Sequence, residues 1–323
     1  MNDGGDWRPS AARARLAARA ALLARTREFF AARGVLEVDT PLIVNAPVTD
    51  VHIHSARVEF PDAPMLFLHT SPEYAMKRLL AAGSGDIFQI CHVVRALERS
   101  RVHNSEFTLL EWYRIGFSLD DLMTEVEALV SDLTGRAVAG VSERVTYRDV
   151  FRRALALDPF AASDAELAQA AEASGFVRGT GVAASRDDLL DFLMGLRIGP
   201  GLGRQGLTFV HAYPASQAAL ARRDPNDIRT AERFEVYRDG VELANGYHEL
   251  ASSVEQRERF AADNQERRRR GMPTFPIDEN FLAALATGIP DCAGVALGID
   301  RLLMLATGAA HIDEVIAFPT ERA

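Results

Sequence analysis

The stretch YRDGVELANGYHEL, residues 237–250, constrains the fold of this chain more than any other. Asp239-Gly240 lies between two apolar-alternating runs, a strong signal for a two-residue hairpin whose central residues need positive φ. Asn245-Gly246 is a second turn or bulge signal. A hairpin makes its two strands antiparallel neighbours, so at least part of the sheet is antiparallel. Two geometries satisfy the spacing. If the chain turns at Asp239-Gly240, Glu242 and Glu249 lie on one strand, and a bulge at Asn245-Gly246 restores them to one face. If it reverses at Asn245-Gly246, they fall opposite each other. Both bring two carboxylates together, an arrangement that Mg²⁺ bridged to phosphate oxygens relieves. Two solvated glutamates on an exposed sheet face remain the plain alternative.

The other elements agree with a sheet of this kind. A helix capped by Ser10 carries Leu16, Leu22, Leu23, Phe29 and Phe30 at helical spacing and ends at Gly34; the strand VLEVDTP follows. Strand patterns recur at 52–60, 65–70, 86–94, 106–114, 207–213, 232–238, 241–249, 292–299 and 314–318. Helical patterns cover 71–83, 118–134, 146–199 with turns between, 253–271, 278–287 and a segment starting at Asp300. Strands follow strands, with helices grouped between them. That order predicts an α+β fold rather than a βαβ repeat, with the helix-rich stretch 136–205 as an insertion on one catalytic domain.

Composition excludes several classes. The net charge of −9 argues against a protein that coats nucleic acid. No apolar run approaches the roughly 18 residues of a membrane span, and the N-terminus has no signal-peptide core. Cys91 and Cys292 are the only cysteines, which disfavours a disulfide framework and fits a reducing cytoplasm. There is no G-x-x-x-x-G-K-[ST] loop, no G-x-G-x-x-G after a strand, and no zinc-like Cys/His spacing. The run Arg267–Arg270 reads as a solvated helix face or a docking patch for an acidic partner.

Two further stretches carry chemistry. In EFTLLEWYR, strand alternation puts Phe107, Leu109, Glu111 and Tyr113 on one face. A carboxylate among aromatic rings suits an organic ammonium or a nucleobase; the plain reading is a half-exposed strand. In GVALGIDRLLMLATG, Gly294 and Gly298 permit close approach, and Arg301 stands at a strand-to-helix junction where it suits a phosphate. A buried strand with an incidental arginine would look the same.

In order and spacing, these stretches resemble the signature motifs of the class II aminoacyl-tRNA synthetases. The first helix with GVLEVDTP is similar to motif 1, VVRALERSRVHNSEFTLLEWY to motif 2 and GVALGIDRLLML to motif 3. TSPEYAMKRLL, HNSEFTLLEWY and ELANGYHEL have counterparts in the lysine-specific branch. The resemblance runs from about residue 10 to the C-terminus, except across 136–205. Motif 1 starts almost at the N-terminus, where a lysyl-tRNA synthetase carries an anticodon-binding barrel of roughly a hundred residues. The chain therefore looks like the stand-alone lysyl-tRNA synthetase paralogues that modify elongation factor P, and SPEY, LEWY, YPASQAALA and DCAGVALG fit that branch.

The resemblance implies a class II catalytic fold, an antiparallel sheet flanked by helices. It implies ATP- and Mg²⁺-dependent adenylation of (R)-β-lysine or lysine, then transfer to a lysine side chain of elongation factor P. It also implies a homodimer, no tRNA partner and no membrane. Its residue roles carry over position by position. Arg95 would hold the α-phosphate, and His103 and Arg301 the outer phosphates. Phe107 would stack on adenine, Asn104 would order the nucleotide loop, and Glu98, Leu243 and Gly298 would line the ATP site. Glu242 and Glu249 would hold Mg²⁺, with Glu249 also facing the substrate. Ser71, Pro72, Glu73, Glu111 and Tyr113 would read a lysine-like substrate, with Ala296 shaping the pocket. A carboxylate nucleophile is already ionised at neutral pH, so adenylation needs positioning and charge compensation rather than a general base.

This sequence departs from the family pattern at Leu97, where a glutamate usually stands near the adenine amino group, with Glu98 one position late. Val94, Ser105, His211-Ala212-Tyr213-Pro214 and Ser252 also differ. On sequence alone, Leu97→Glu is expected to tighten ATP binding. A different amine acceptor, or a catalytically silent paralogue that binds a partner, are the competing functions.

Overall fold

The N-terminal helix α1 (Arg13–Ala31) turns Leu22, Thr26, Phe29 and Phe30 inward, and Phe30 stacks on Phe88 with centroids 4.5 Å apart. The structure, a computed structural model, describes residues 7–61, 64–135, 140–177 and 184–323. Ser10 does not cap α1: Ala12 is the N-cap, and the Ser10 amide donates to the Ala317 carbonyl at 2.8 Å. Four short strands follow, β1 (Leu36–Glu37), β2 (Ile43–Val44), β3 (Arg57–Val58) and β4 (Leu66–Leu68). Then come α2 (Glu73–Ala81), β5 (Ile87–Val94), β6 (Glu106–Ile115) and α3 (Leu119–Thr134). The middle of the chain holds β7 (Glu143–Thr146), α4 (Tyr147–Leu155), α5 (Asp164–Ala173) and α6 (Arg186–Leu193). It closes with β8 (Thr208–Pro214), β9 (Thr230–Arg238), β10 (Val241–His248), α7 (Ser253–Arg269), α8 (Glu279–Thr287), β11 (Cys292–Gly298) and α9 (Ile299–Thr307).

Eight strands form one sheet in the order β1-β5-β6-β11-β10-β9-β8-β7. Only the outer pairs β1/β5 and β7/β8 are parallel, so the sheet is mostly antiparallel, in keeping with the order of strands along the chain. The hairpin turns at Asp239-Gly240, whose φ angles are 51° and 76°. Its bulge sits at Leu243, where the register shifts between Glu242 and Ala244, and not at Asn245-Gly246. Asn245 and Gly246 run straight through β10, paired on both sides. Gly246 answers a packing need instead: a Cβ there would stand 2.5 Å from the Phe234 ring. The bulge brings Glu242 onto the face shared by Asn245, Tyr247 and Glu249.

One face of the sheet builds the main core, with Leu110, Trp112, Phe234, Val236, Val295 and Leu297 packed against α3 and α9. The other face lines a cavity. In the stretch expected as an insertion, β7 extends the sheet edge, and α4–α6 form a second core with Val210, Tyr213 and Tyr237. Residues 136–139 and 178–183 of that stretch lie outside the described residues. The strand expected at 314–318 is not formed. A 3₁₀ turn occupies Ile312–Glu314, because the Glu314 carboxylate accepts from the Ala310 and His311 amides and bends the chain. Nor is Arg267 solvated: it is buried, stacked on Phe275 at 4.1 Å, and donates to the Pro273 and Asp50 carbonyls. Among the described residues, no helix is long and apolar enough to cross a membrane.

Candidate active site

A cavity of about 990 Å³ opens against the solvent-side face of β6, β10 and β11. Strand alternation sends Phe107, Leu109, Glu111 and Tyr113 into it while Leu110 and Trp112 join the core. Its two ends have opposite charge.

At the acidic end, Glu111 is fixed from two sides. The Ser71 hydroxyl donates to Oε2 and the Tyr113 hydroxyl to Oε1, each at 2.6 Å. Ser71 and Pro72 stand at the start of α2, and the Glu73 amide donates to the Ser71 hydroxyl at 3.1 Å. Burial, with Glu73 nearby, pushes the Glu111 carboxyl up to about 7. Glu249 follows β10 and is buried beside Lys77, which also donates to Glu73 at 2.6 Å. Burial would lower the Lys77 pKa, but Glu249 and Glu73 outweigh it and keep the ammonium charged. Burial raises the Glu249 carboxyl, Lys77 opposes that, and Glu73 and Glu111 add to it. Burial is the main cause of both upward shifts, and neighbouring carboxylates add to it. A cationic ligand would oppose both shifts.

At the basic end, Arg95 leaves β5 with its guanidinium 5.3 Å from the Phe107 ring centroid and its Nε donating to the Thr70 carbonyl at 3.3 Å. Arg301 projects from the first turn of α9 and donates to the Glu242 and Val102 carbonyls at 2.8 and 3.2 Å. It also donates to His103 Nε2 at 2.6 Å, so His103 carries its proton on Nδ1, 2.6 Å from the Ser100 hydroxyl. Burial, then the Arg301 and Arg95 charges, push the His103 pKa down to about 4. The imidazole is neutral. Asn104 is buried, donates to the Glu106 carbonyl at 2.6 Å and accepts from the Thr320 amide at 3.3 Å, tying this loop to the C-terminal tail. Leu243, Ala296 and Gly298 line the cavity between the two ends.

This arrangement coincides with sequence relationship along the whole chain. Residues 5–322 match the family described as tRNA synthetases class II (D, K and N). The chain belongs to that family. Curated relatives extend over 100% of both chains: a protein of Salmonella dublin is 47% identical, and those of Salmonella paratyphi B and Salmonella enteritidis PT4 are each 46% identical. All three bear the name elongation factor P–(R)-β-lysine ligase.

Against the class II pattern, the nucleotide loop resolves the question raised by Leu97. Leu97 has φ 71° and is 82% exposed, so it points out of the cavity. That left-handed residue turns the loop, and the next side chain, Glu98, lines the cavity instead. Glu98, one position late, thus lines the cavity where Leu97 does not. The expectation for Leu97→Glu changes accordingly: ATP affinity should stay within about twofold, since an exposed surface substitution acts on little else. A large gain in titration calorimetry would show that residue 97 faces the nucleotide after all.

Glu242 and Glu249, the carboxylates expected to share Mg²⁺, both line the cavity. Glu242 lies 3.5 Å from Arg301 at the basic end, while Glu249 pairs with Lys77 at the acidic end. No group of three or more His, Cys, Asp or Glu side chains suited to a metal occurs among the described residues.

Sequence reasoning missed several supports. Lys77 was hidden because a lysine on a helix reads as surface, yet it is fully buried. Asp300, next to Arg301, accepts from the Thr108 amide at 2.7 Å and pairs with Arg19 of α1, locking the strand-to-helix junction. Arg233 donates to Glu235 and to Asn245, bracing β9 against β10 beneath the cavity. The period-two pattern of β9 was the available signal, since Arg233, Glu235 and Tyr237 all fall on the cavity face.

Proposed function

We propose that this chain activates (R)-β-lysine as an adenylate with ATP and transfers it to a lysine side chain of elongation factor P. The observation that carries this reading is the charge division of one cavity. Glu73, Glu111 and Glu249 form an acidic end able to pair with two ammonium groups, and Arg95 and Arg301 form a basic end facing the nucleotide loop. The names of the full-length relatives support the substrate and the acceptor.

The amino-acid carboxylate lies between these ends and attacks the α-phosphorus of ATP. The bond from that phosphorus to the oxygen bridging the β-phosphate breaks, and pyrophosphate leaves with the electron pair. Arg95 holds the α-phosphate and Arg301 the outer phosphates, compensating charge as it develops. His103, being neutral, fixes the Arg301 fork rather than donating a proton. Phe107 offers a ring face to adenine under the Arg95 guanidinium. In the second step a neutral lysine amine attacks the acyl carbon, and AMP leaves.

Of the expected pair Glu242 and Glu249, Glu242 beside Arg301 would hold Mg²⁺ at the basic end, since Mg²⁺ is commonly held by one or two carboxylates together with substrate phosphates. Glu235 is already bound by Arg233 and Tyr237 at 2.5 Å each. When bound there, the ion would neutralise phosphate charge. Motif 1 resemblance supports a homodimer through α1 and β1, where Leu36 is 55% exposed. A light-scattering mass tests it.

ATP–pyrophosphate exchange with (R)-β-lysine, L-lysine and no amino acid tests the first step, and intact-mass analysis of elongation factor P tests the second. Exchange with neither amino acid by folded protein refutes the reading. A pH dependence follows as well. Glu111 titrates at about 7 when the pocket is free, and a ligand ammonium lowers that value. Affinity for the diamino acid should therefore be full above pH about 7 and fall towards tenfold per unit below it. A dissociation constant flat from about pH 6 to about pH 8 would remove Glu111 as a ligand contact.

A further inference from the structure

Lys77 is the one ammonium at the acidic end, and nothing in the adenylation chemistry requires it. It projects from the second turn of α2, with no side-chain exposure. Its Nζ donates to Glu73 Oε1 at 2.6 Å on its own helix and pairs with Glu249 Oε2 beyond the end of β10. It lies 5.9 Å from the buried Phe281 ring of α8. Lys77 is the counter-ion of Glu249, and among the described residues no other donor reaches either carboxylate oxygen. The same carboxylate packs over Gly294, where a Cβ would come within 2.7 Å of Oε1. The lysine therefore joins two walls of the pocket that come from distant parts of the chain.

The geometry points to Lys77 as a positioning and specificity-determining residue. It pins Glu73 and Glu249 together at the closed end, so that the pocket presents a fixed charge matched to a substrate with two ammonium groups. This rests on the amino-acid-activating function proposed above and deepens it. With Glu73, Glu111 and Glu249 ionised against one lysine, three negative charges meet one positive charge, leaving an excess of two. A diamino acid cancels that excess. A monoamino acid of the same length leaves one buried carboxylate unpaired, which is strongly unfavourable.

Removing Lys77 breaks this match from the protein side. Glu249, buried, loses its counter-ion and is no longer held at its place in the pocket. Glu73, released from the ammonium, is then free to turn away. Both changes withdraw negative charge from where the distal ammonium binds. Discrimination between diamino and monoamino acids falls, while the ATP end, whose arginines come from the segment after β5 and from α9, is untouched.

The test is a Lys77→Met variant, close in length and without charge, compared with the natural protein in ATP–pyrophosphate exchange. Substrates are (R)-β-lysine and its analogue with the distal amine replaced by hydrogen. The expected result is a KM for (R)-β-lysine raised more than about tenfold, the loss of one charged contact. KM for ATP should be unchanged, and the kcat/KM ratio of the two substrates should shrink by a similar factor. Equal losses for both substrates, or an unchanged ratio, would overturn the proposal and leave Lys77 a stability element. If Lys77→Met fails to melt cooperatively, Lys77→Gln carries the same comparison, since its amide still donates to a carboxylate without the charge. Absence of exchange in the natural protein would count against the adenylating function instead. Calorimetric binding of the two amino acids, which needs no chemistry, then decides the Lys77 role by the same ratio.

Discussion

Replacing Arg301 with alanine is expected to lower ATP–pyrophosphate exchange by about 10²–10³-fold or more, the usual effect of removing a preorganised charge-stabilising donor. The protein should remain folded. Arg301 donates to the carbonyls of Glu242 and Val102 and to His103, so its removal strips two anchors from the nucleotide loop and one from β10 as well as a charge from the phosphates. Those carbonyls line an open cavity and regain water, which limits the stability loss to about 1–3 kcal/mol. The variant also frees His103. Burial and Arg95 still depress its pKa, but without the Arg301 charge the depression lessens, and an NMR titration of the imidazole would register the change. Arg301→Lys should recover little, because a single ammonium cannot hold two carbonyls and an imidazole in a fork. Exchange near the natural rate in Arg301→Ala would exclude it from phosphate binding.

The second large effect is expected at Gly294. Its strand neighbour across β11–β6 is Tyr113, and a Cβ would overlap the Tyr113 ring and press within 2.7 Å of Glu249 Oε1. Neither side chain has room to yield, since both are buried. Overpacking of this kind costs about 1–3 kcal/mol of stability. Function should suffer more. Tyr113 holds Glu111 and Glu249 holds Lys77, so displacing them disturbs every charged group of the amino-acid pocket at once. Gly294→Ala should raise KM for the amino acid more than about a hundredfold, equivalent to about 2.7 kcal/mol, and leave ATP binding measured by calorimetry near its natural value. A small effect on the amino acid, or an equal effect on ATP, would contradict the separation of the two ends.

Both predictions concern residues that were legible before any coordinates. Arg301 stood out because an arginine follows directly on a glycine-bearing apolar strand, and Gly294 because a strand interior rarely tolerates glycine without a close neighbour. Glu111 and Tyr113 were legible through period-two alternation, which holds along β6 because one face packs against the core while the other lines the cavity. The hairpin at Asp239-Gly240 was legible through the positive φ both residues must adopt. Other features depend on contacts with no local trace. The bulge lies at Leu243 rather than at the dipeptide with turn chemistry, because register answers to pairing on both sides of β10. Arg267 and Lys77 have the composition of solvated helix residues and are buried by elements far away in sequence.

The sequence by itself determined much of the local conformation and the chemical inventory: the long strands, two candidate hairpin turns, and that carboxylates and arginines sit on period-two faces and at a strand-to-helix junction. These depend on backbone sterics and side-chain alternation, which act over a few residues. Tertiary structure alone decided how that inventory divides. Glu242 and Glu249 share a strand face yet serve opposite ends of the cavity. Leu97 turns outward so that Glu98 turns inward, and Lys77 closes the acidic end between α2 and the segment after β10. Electrostatic partnership depends on distance through space and on burial, and only the packed sheet sets either.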